Sequence, residues 1–203
     1  MGRLFLHRLS AATVISLIAL LFAMGGTAAA ATPSLQVSNS ANASPLPASS
    51  HSWKIVRSAN RTDTVNYLDA VACSSSTRCE AVGNHQTTGG AAPLAEVWNG
   101  TRWALQTMPN PTGSTGTTLV GVACPSATRC EAVGYYNTSG NVQVPLAEGW
   151  NGTTWALQTT PNPAGAIFSE LNAVACLSAT NCEAVGDYQN SSGVTLTLAE
   201  RWS

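Results

Sequence analysis

The fold can be inferred from Leu119-Val-Gly-Val-Ala-Cys124, because close copies of this segment stand at residues 68–73 and 171–176. The three copies are 51 and 52 residues apart. Each is followed by Cys-Glu-Ala-Val-Gly and then by Leu-Ala-Glu-x-Trp, and in the first two copies this last motif continues as Asn-Gly-Thr-x-Trp. Self-similarity with a period of this length is typical of a repeat protein.

Each copy is predicted to form four short antiparallel strands, which makes the fold all-β with three four-stranded repeats. In the second copy the strands are expected at residues 119–124, 130–136, 144–150 and 154–159. Runs rich in Val and bounded by Gly, Pro, Asn and Ser favour strands. Helical periodicity is absent from the chain that follows the leader.

The third and fourth strands of each repeat are predicted to form a tight hairpin. Asn151-Gly152 between apolar runs is typical of a two-residue type I′ turn. Such a turn would place Trp150 opposite Thr153, and Glu148 opposite Trp155. The same register is expected in the first repeat.

Small apolar residues on both faces of the first two strands predict sheets that are covered on both sides and crowded near an axis. This favours a β-propeller-like fold; a β-trefoil or a β-prism, each with three four-stranded units, is the alternative. The last copy reaches Trp202-Ser203 after its third strand, and Ser52-Trp53-Lys-Ile-Val56 aligns with the fourth strands. We therefore expect this N-terminal strand to complete the last repeat. Pairing of two chains into a homodimer of six sheets is another way to close a ring.

Residues 1–31 are predicted to be a cleaved signal peptide. A basic start with Arg3 and Arg8 precedes an uncharged apolar run of about 14 residues and a series of alanines. The run is shorter than the roughly 20 residues that span a bilayer. Residues 32–51 are rich in Ser, Ala and Pro, which predicts a flexible linker. The β domain is then 52–203, with repeats at about 52–102, 103–154 and 155–203. We expect a secreted, extracellular protein with no membrane attachment after cleavage.

The cysteines fall into three pairs with the same spacing: Cys73 and Cys79, Cys124 and Cys130, Cys176 and Cys182. An even number in regular pairs predicts disulfides in an exported protein. Metal ligation would need further Cys or His at short spacing, and after residue 31 the chain has only His51 and His85. We therefore expect three disulfides and no metal.

Charged residues make up only 9% of the chain. Without Arg3 and Arg8 of the leader, seven of the nine Lys and Arg residues remain against ten Asp and Glu. Nucleic acids and anionic lipids need a basic surface, so neither is expected as a partner.

The chain resembles a family of tandem repeats in secreted actinobacterial proteins, mostly uncharacterised. The resemblance covers residues 52–203 and includes Leu-x-x-Val-x-Cys, Cys-x-Ala-Val-Gly, Leu-Ala-Glu-x-Trp-Asn-Gly-Thr-x-Trp and Pro-Asn-Pro. It implies a secreted, propeller-like β-repeat protein, without established activity or catalytic residues. Longer members of the family have more copies.

Carboxylates recur in every copy: Glu80, Glu131 and Glu183 after the second Cys, and Glu96, Glu148 and Glu200 before a Trp. Glycosidases need paired carboxylates, but a residue that occurs in every repeat is more simply structural. The six tryptophans also stand at repeated strand positions and are expected to pack: Trp53, Trp98, Trp103, Trp150, Trp155 and Trp202. Nucleophile elbows, phosphate loops and calcium loops are absent from the sequence, so no catalytic residue and no cofactor is predicted.

Binding residues are expected where the copies diverge, directly after each Val-Gly. The differing pairs are Asn84-His85, Tyr135-Tyr136 and Asp187-Tyr188, and they are predicted to open loops at 84–91, 135–144 and 187–196 on one rim. Divergent loops on a repeated scaffold commonly bind ligands. The sequence therefore predicts a secreted, non-enzymatic β-repeat protein that binds a glycan, a cell-wall component or another protein. The alternatives are a glycosidase-type hydrolase that uses repeat carboxylates, and a degenerate fragment of a longer propeller.

Overall fold

The structure is a computed structural model that describes residues 52–62 and 64–203. The predicted signal peptide and nearly all of the linker lie outside the described residues. Those residues contain eleven strands and no helix, which confirms the all-β prediction. Accordingly, this part of the chain has no helix long and apolar enough to cross a membrane.

The strands follow one another as antiparallel neighbours in three groups. The first sheet is β1 (Asn66–Ser75), β2 (Arg78–Thr87), β3 (Gly90–Trp98) and β4 (Trp103–Gln106). The second sheet is β5 (Ser114–Ser126), β6 (Arg129–Thr138), β7 (Gln143–Trp150) and β8 (Trp155–Gln158). The third sheet is β9 (Phe168–Ser178), β10 (Asn181–Gln189) and β11 (Thr195–Trp202). A single parallel pair, Gln143 with Phe168, links β7 to β9 and makes β5–β11 one continuous seven-stranded sheet. We keep the names second sheet and third sheet for its two antiparallel parts, β5–β8 and β9–β11.

Each of the three sheets is closed by a disulfide between its first two strands. The bonds join Cys73 to Cys79, Cys124 to Cys130 and Cys176 to Cys182, as predicted. No cysteine in the described part of the chain is free. A bond across a hairpin fixes its register, and three such bonds point to an oxidising environment of the extracellular type.

The predicted two-residue turns are wrong: each hairpin has a four-residue loop. Trp150 pairs with Trp155, and Glu148 pairs with Leu157. The side chain of Asn151 explains the longer loop, because its Oδ1 accepts hydrogen bonds from the backbone N–H groups of Thr153 and Thr154 at 2.9 Å each. Gly152 has φ +100°, a conformation that favours glycine.

The core lies between successive sheets. Val82 and Ala95 of the first sheet pack against Leu119, Ala132 and Leu146 of the second. A separate cluster is formed by Val133 and Ala147 of the second sheet with Leu171 and Ala184 of the third. Because Ala132 and Val133 are adjacent in β6, they face opposite sides of the second sheet. The second sheet is therefore covered on both faces, as its small apolar residues predicted.

The expected completion of the last repeat by the chain's own N-terminal strand is wrong. Residues 52–61 form no strand, and β11 pairs only with β10 within the described ranges. The segment lies against the first sheet instead: the Ser58 hydroxyl is 2.8 Å from both carboxylate oxygens of Glu96, and the Ala59 N–H donates to Glu96 at 3.0 Å. These contacts hold Ser58 and Ala59 on the face of the first sheet that is remote from the third, because the core shared with the second sheet lies on the other face.

Candidate functional site

The predicted binding residues lie in strands, not in loops. β2 continues to Thr87, β6 to Thr138 and β10 to Gln189, so the connecting segments shrink to residues 88–89, 139–142 and 190–194. The loops predicted at 84–91, 135–144 and 187–196 are therefore too long. The cause is backbone pairing, because each of these middle strands is hydrogen-bonded on both sides beyond its Val-Gly.

The register places the six predicted residues at equivalent positions of the three sheets. Asn84 pairs with Tyr67 and Pro93, Tyr135 with Thr118 and Pro145, and Asp187 with Glu170 and Thr197. The next position along each strand holds His85, Tyr136 and Tyr188. Asn84 and His85 are buried, whereas the other four are half-buried.

All four tyrosines of the chain stand at this end of the sheets. Tyr67, which sequence analysis did not single out, lies across from Asn84 and is 52% exposed. We call the set formed by Tyr67, Asn84, His85, Tyr135, Tyr136, Asp187 and Tyr188 the tyrosine rim. Trp150 pairs with Cys130, six residues before Tyr136, so about 20 Å of strand separates the indoles from the rim.

The tyrosine rim contains a single carboxylate, that of Asp187, and a single imidazole, that of His85. Burial, together with the positive charge of Arg61, lowers the pKa of His85, so the imidazole is neutral at pH 7. Asn172 donates to the Asp187 carboxylate at 3.1 Å, and Gln143 donates to the Glu170 carboxylate at 2.9 Å. The second of these bonds also ties the second sheet to the third. A surface of this kind suits a neutral polar ligand better than a strongly charged one.

The three glutamates that precede a tryptophan differ sharply in their surroundings. The Glu96 carboxylate accepts hydrogen bonds from the Ser58 hydroxyl and from the Ala59 N–H, as described above. Glu148 is 0% exposed, and neither of its carboxylate oxygens has a hydrogen-bond partner among the described residues. Burial raises the pKa of Glu148 to about 8, and it raises the pKa of Glu200 to about 7.

The sequence explains this difference between Glu96 and Glu148. Aligning Trp53 with Trp103 places Met108 and Pro109 where Ser58 and Ala59 stand. Met has no hydroxyl and Pro has no N–H, so both donors are lost. A buried carboxyl without donors favours its neutral form.

The glutamates that follow the second Cys are held by arginines. Arg78 donates to Glu80 at 2.7 Å, and Arg129 Nε lies 2.9 Å from Glu131 Oε1, although without the alignment of a hydrogen bond. In the third sheet Arg201 pairs with Glu183. Burial outweighs the arginine charge and raises the pKa values of Glu80 and Glu131.

The tryptophans join one sheet to the next. Trp150 and Trp155 face each other across β7 and β8 with ring centroids 5.7 Å apart, and both are buried. The indole N–H of Trp155 donates to Gln106 of the first sheet at 2.7 Å. The guanidinium of Arg78 lies 5.5 Å from the Trp150 ring, a distance suited to a cation–π contact.

A cleft between the second and third sheets was not predicted from the sequence. We call it the edge cleft, since it opens beside β11; its lining includes Glu131, Gln158, Thr160, Glu200 and Trp202. The signal for it is in the alignment, because Gln158 corresponds to Gln106 and Trp202 corresponds to Trp150.

Residues 52–62 and 64–203 contain no group of three or more His, Cys, Asp or Glu side chains that could hold a metal ion. No protein-family model matches the chain, and no curated protein matches it either.

Proposed function

We propose that this protein is an exported, non-enzymatic binding scaffold that holds a neutral polar ligand, a cell-wall glycan, at its tyrosine rim. The observation that carries the proposal is the collection of all four tyrosines at one end of the sheets, beside Asn84 and Asp187. The indoles, by contrast, are used at the other end to join the sheets.

The scaffold we propose is a propeller-like stack of repeated sheets, as in the secreted repeat family that the sequence resembles. Two features support it. The core lies between successive sheets, not inside a closed barrel. The first strands of neighbouring sheets also approach closely, since a Cβ on Gly121 would lie 3.2 Å from the Ala173 Cα.

The side chains of the rim support a glycan as the ligand. A tyrosine offers a flat apolar face together with a hydroxyl group, which suits a ligand that is apolar on one side and polar on the other. The Asn84 amide and the Asp187 carboxylate can exchange hydrogen bonds with sugar hydroxyls. Half-exposed side chains on disulfide-closed strands are also held in place before the ligand arrives, which lowers the entropic cost of binding.

The test is binding of the secreted protein to a glycan array and to insoluble cell-wall preparations. We expect binding by the native protein and a loss of at least tenfold in Tyr67→Ala and Tyr135→Ala. Leu177→Ala is the matched control, because Leu177 is 90% exposed but lies at the end of β9 beside the disulfide, outside the rim. No binding to any glycan or wall fraction, or equal binding by the tyrosine variants, would refute the proposal. Capture of a protein partner that depends on the same tyrosines would replace the glycan by a protein.

A glycosidase-type activity is the second candidate, and one observation favours it. Glu131 and Glu200, whose pKa values burial raises, line the same edge cleft. An acid that stays protonated near pH 7 beside a second carboxylate is what glycoside hydrolysis requires. Here, however, Glu131 is engaged by Arg129. This candidate predicts turnover of a glycoside that Glu200→Gln abolishes, with Glu183→Gln as the control. Absence of turnover by the native protein across glycoside classes would exclude it.

A further inference from the structure

We propose that residues 53–56 of one copy of this chain add to β11 of a second copy as the outer strand of its third sheet, with the Trp53 indole in the edge cleft. This proposal goes beyond the binding function and does not depend on it. It differs from completion of the sheet by the same chain, which the structure contradicts.

The outer strands share a sequence pattern with residues 53–56. β4 is Trp103-Ala-Leu-Gln106 and β8 is Trp155-Ala-Leu-Gln158. Residues 53–56 read Trp-Lys-Ile-Val and share the Trp and the aliphatic residue two positions later. Within the described ranges β11 has no outer neighbour, so its free backbone groups can accept one more strand.

The edge cleft repeats the surroundings of a buried indole. Trp155 is covered by Trp150 on its own sheet and donates to Gln106 of the preceding sheet. Beside the third sheet the corresponding residues are Trp202 and Gln158, and both line the cleft.

The exposure of Trp202 indicates that an indole is missing from this arrangement. Trp202 is 38% exposed, whereas Trp150 at the same position of the second sheet is 6% exposed. The guanidinium of Arg129 lies 5.7 Å from the Trp202 ring, just as Arg78 lies near Trp150. Trp202, Arg129 and Gln158 therefore already stand where Trp150, Arg78 and Gln106 stand around Trp155, and only the outer strand with its indole is missing.

The donor segment, residues 53–56, leads directly to contacts with the first sheet of its own chain. Val56 lines a surface pocket with Trp98 and Trp103, so it stands beside an indole as Gln106 stands beside Trp155. Ser58 and Ala59 then bind Glu96. Residues 53–59 thus approach the first sheet in the way that residues 103–109 run from the outer strand β4 toward the second sheet.

The residues just before Val56 are not covered by any described residue of a single copy. Trp53 and Ile55, two positions apart, are fully exposed, and large apolar side chains in this state mark an interaction surface. A second copy supplies what they lack, because in the described part of the chain its β11 is the free edge of a sheet beside the edge cleft.

Reciprocal exchange would close the assembly. Each copy donates one strand and accepts one, as a twofold dimer requires, and two sets of three sheets give six. Closed propellers commonly have four to eight sheets. The proposed contact between two copies differs at two positions from the contacts between sheets of one chain. Asn181 stands where the other sheets have Arg78 and Arg129. Lys54 would face Arg201, which is already paired with Glu183.

The first test is the solution mass of the protein expressed as the full chain, measured by light scattering at micromolar concentrations. We expect twice the mass of one chain for the native protein, and the mass of one chain for Trp53→Ala. The exposure of Trp53 means that this variant keeps its fold. Val142→Ser is the matched control, since Val142 is also exposed and apolar but lies between β6 and β7. A monomeric native protein, or a Trp53→Ala dimer, would overturn the proposal.

The second test does not depend on the strength of the association. Gly149 pairs with Ala156 between β7 and β8, and the corresponding residues are Arg201 and Lys54. Mixing a Lys54→Cys chain with an Arg201→Cys chain is therefore expected to give a disulfide-linked heterodimer. Lys54→Cys mixed with Ser192→Cys should give none. If the double variant Lys54→Cys/Arg201→Cys instead forms the bond within one chain, the strand comes from the same copy and the proposal fails.

Discussion

Glu148→Gln is expected to stabilise this protein at alkaline pH and to leave its stability nearly unchanged at acidic pH. Glu148 is fully buried, and its oxygens have no hydrogen-bond partner among the described residues. Burial raises the pKa of Glu148 from 4.5 to about 8. The folded protein therefore binds more protons than the unfolded chain between these two values, so stability falls as the pH rises through this window.

The magnitude follows from the pKa difference. One pKa unit corresponds to about 1.4 kcal/mol, so a difference of roughly 3.5 units amounts to at most about 5 kcal/mol above pH 8. Glutamine has nearly the same shape as glutamate and does not titrate, so the variant escapes this loss. The titration of Glu200 is common to both proteins and cancels in the comparison.

The assay is urea unfolding of both proteins at pH 4 and pH 9, with Glu96→Gln as the matched control. Glu96 occupies the same repeat position but accepts bonds from Ser58 and Ala59. A neutral amide replaces the charge-assisted hydrogen bonds of the carboxylate with weaker neutral ones, which should cost about 1 kcal/mol. Opposite signs for the two variants at pH 9 are expected. Equal stability of Glu148→Gln and the native protein at pH 9 would refute the argument from burial.

Three further changes test the scaffold. Replacing Cys124 and Cys130 by Ser should lower the free energy of unfolding by about 2 kcal/mol, because the bond closes a short loop; urea unfolding measures it, and no loss would contradict this. Gly134→Ala should cost at least about 3 kcal/mol, since the new Cβ would lie 2.0 Å from a backbone oxygen, whereas Gly140→Ala, with its nearest atom at 3.8 Å, should cost little. Gln106→Leu should lower stability by about 1–3 kcal/mol, because it leaves a buried indole N–H without its acceptor. Equal melting temperatures of Gly134→Ala and Gly140→Ala, or of Gln106→Leu and the native protein, would count against these contacts.

Features that depend on neighbouring residues could be predicted from the sequence. The alternation of apolar residues gave the strands of the second sheet to within a few residues, apart from the longer β5. The equal spacing of the cysteines predicted the three disulfides. Both features are set within a hairpin, so a local pattern is sufficient.

The hairpin loops were missed because the Asn-Gly signal does not encode loop length. A two-residue turn and a four-residue loop can both begin with Asn-Gly. The choice is made by hydrogen bonds from Thr153 and Thr154 to the Asn151 side chain. The longer loop sets Trp150 opposite Trp155, which produces the indole pair that joins two sheets.

The partner of the N-terminal segment could not be predicted because it depends on tertiary structure. The likeness of Trp53 to Trp103 predicts an outer-strand sequence but does not say which sheet receives it. The contact of Ser58 with Glu96 fixes the segment on the first sheet. The contrast between Glu96 and Glu148 was present in the sequence, at Ser58-Ala59 and Met108-Pro109, and comparing the repeats at these positions would have found it.

The central claim is that the tyrosine end of the sheets binds a ligand while the tryptophan end joins the sheets. A nuclear magnetic resonance titration of the protein with soluble cell-wall glycan tests it most directly, because tyrosine rings and indole N–H groups give separate signals. We expect the ring signals of Tyr67, Tyr135 and Tyr188 to shift and the indole signals to stay in place. Shifts confined to the indole signals, or no shifts at saturating glycan, would contradict the claim.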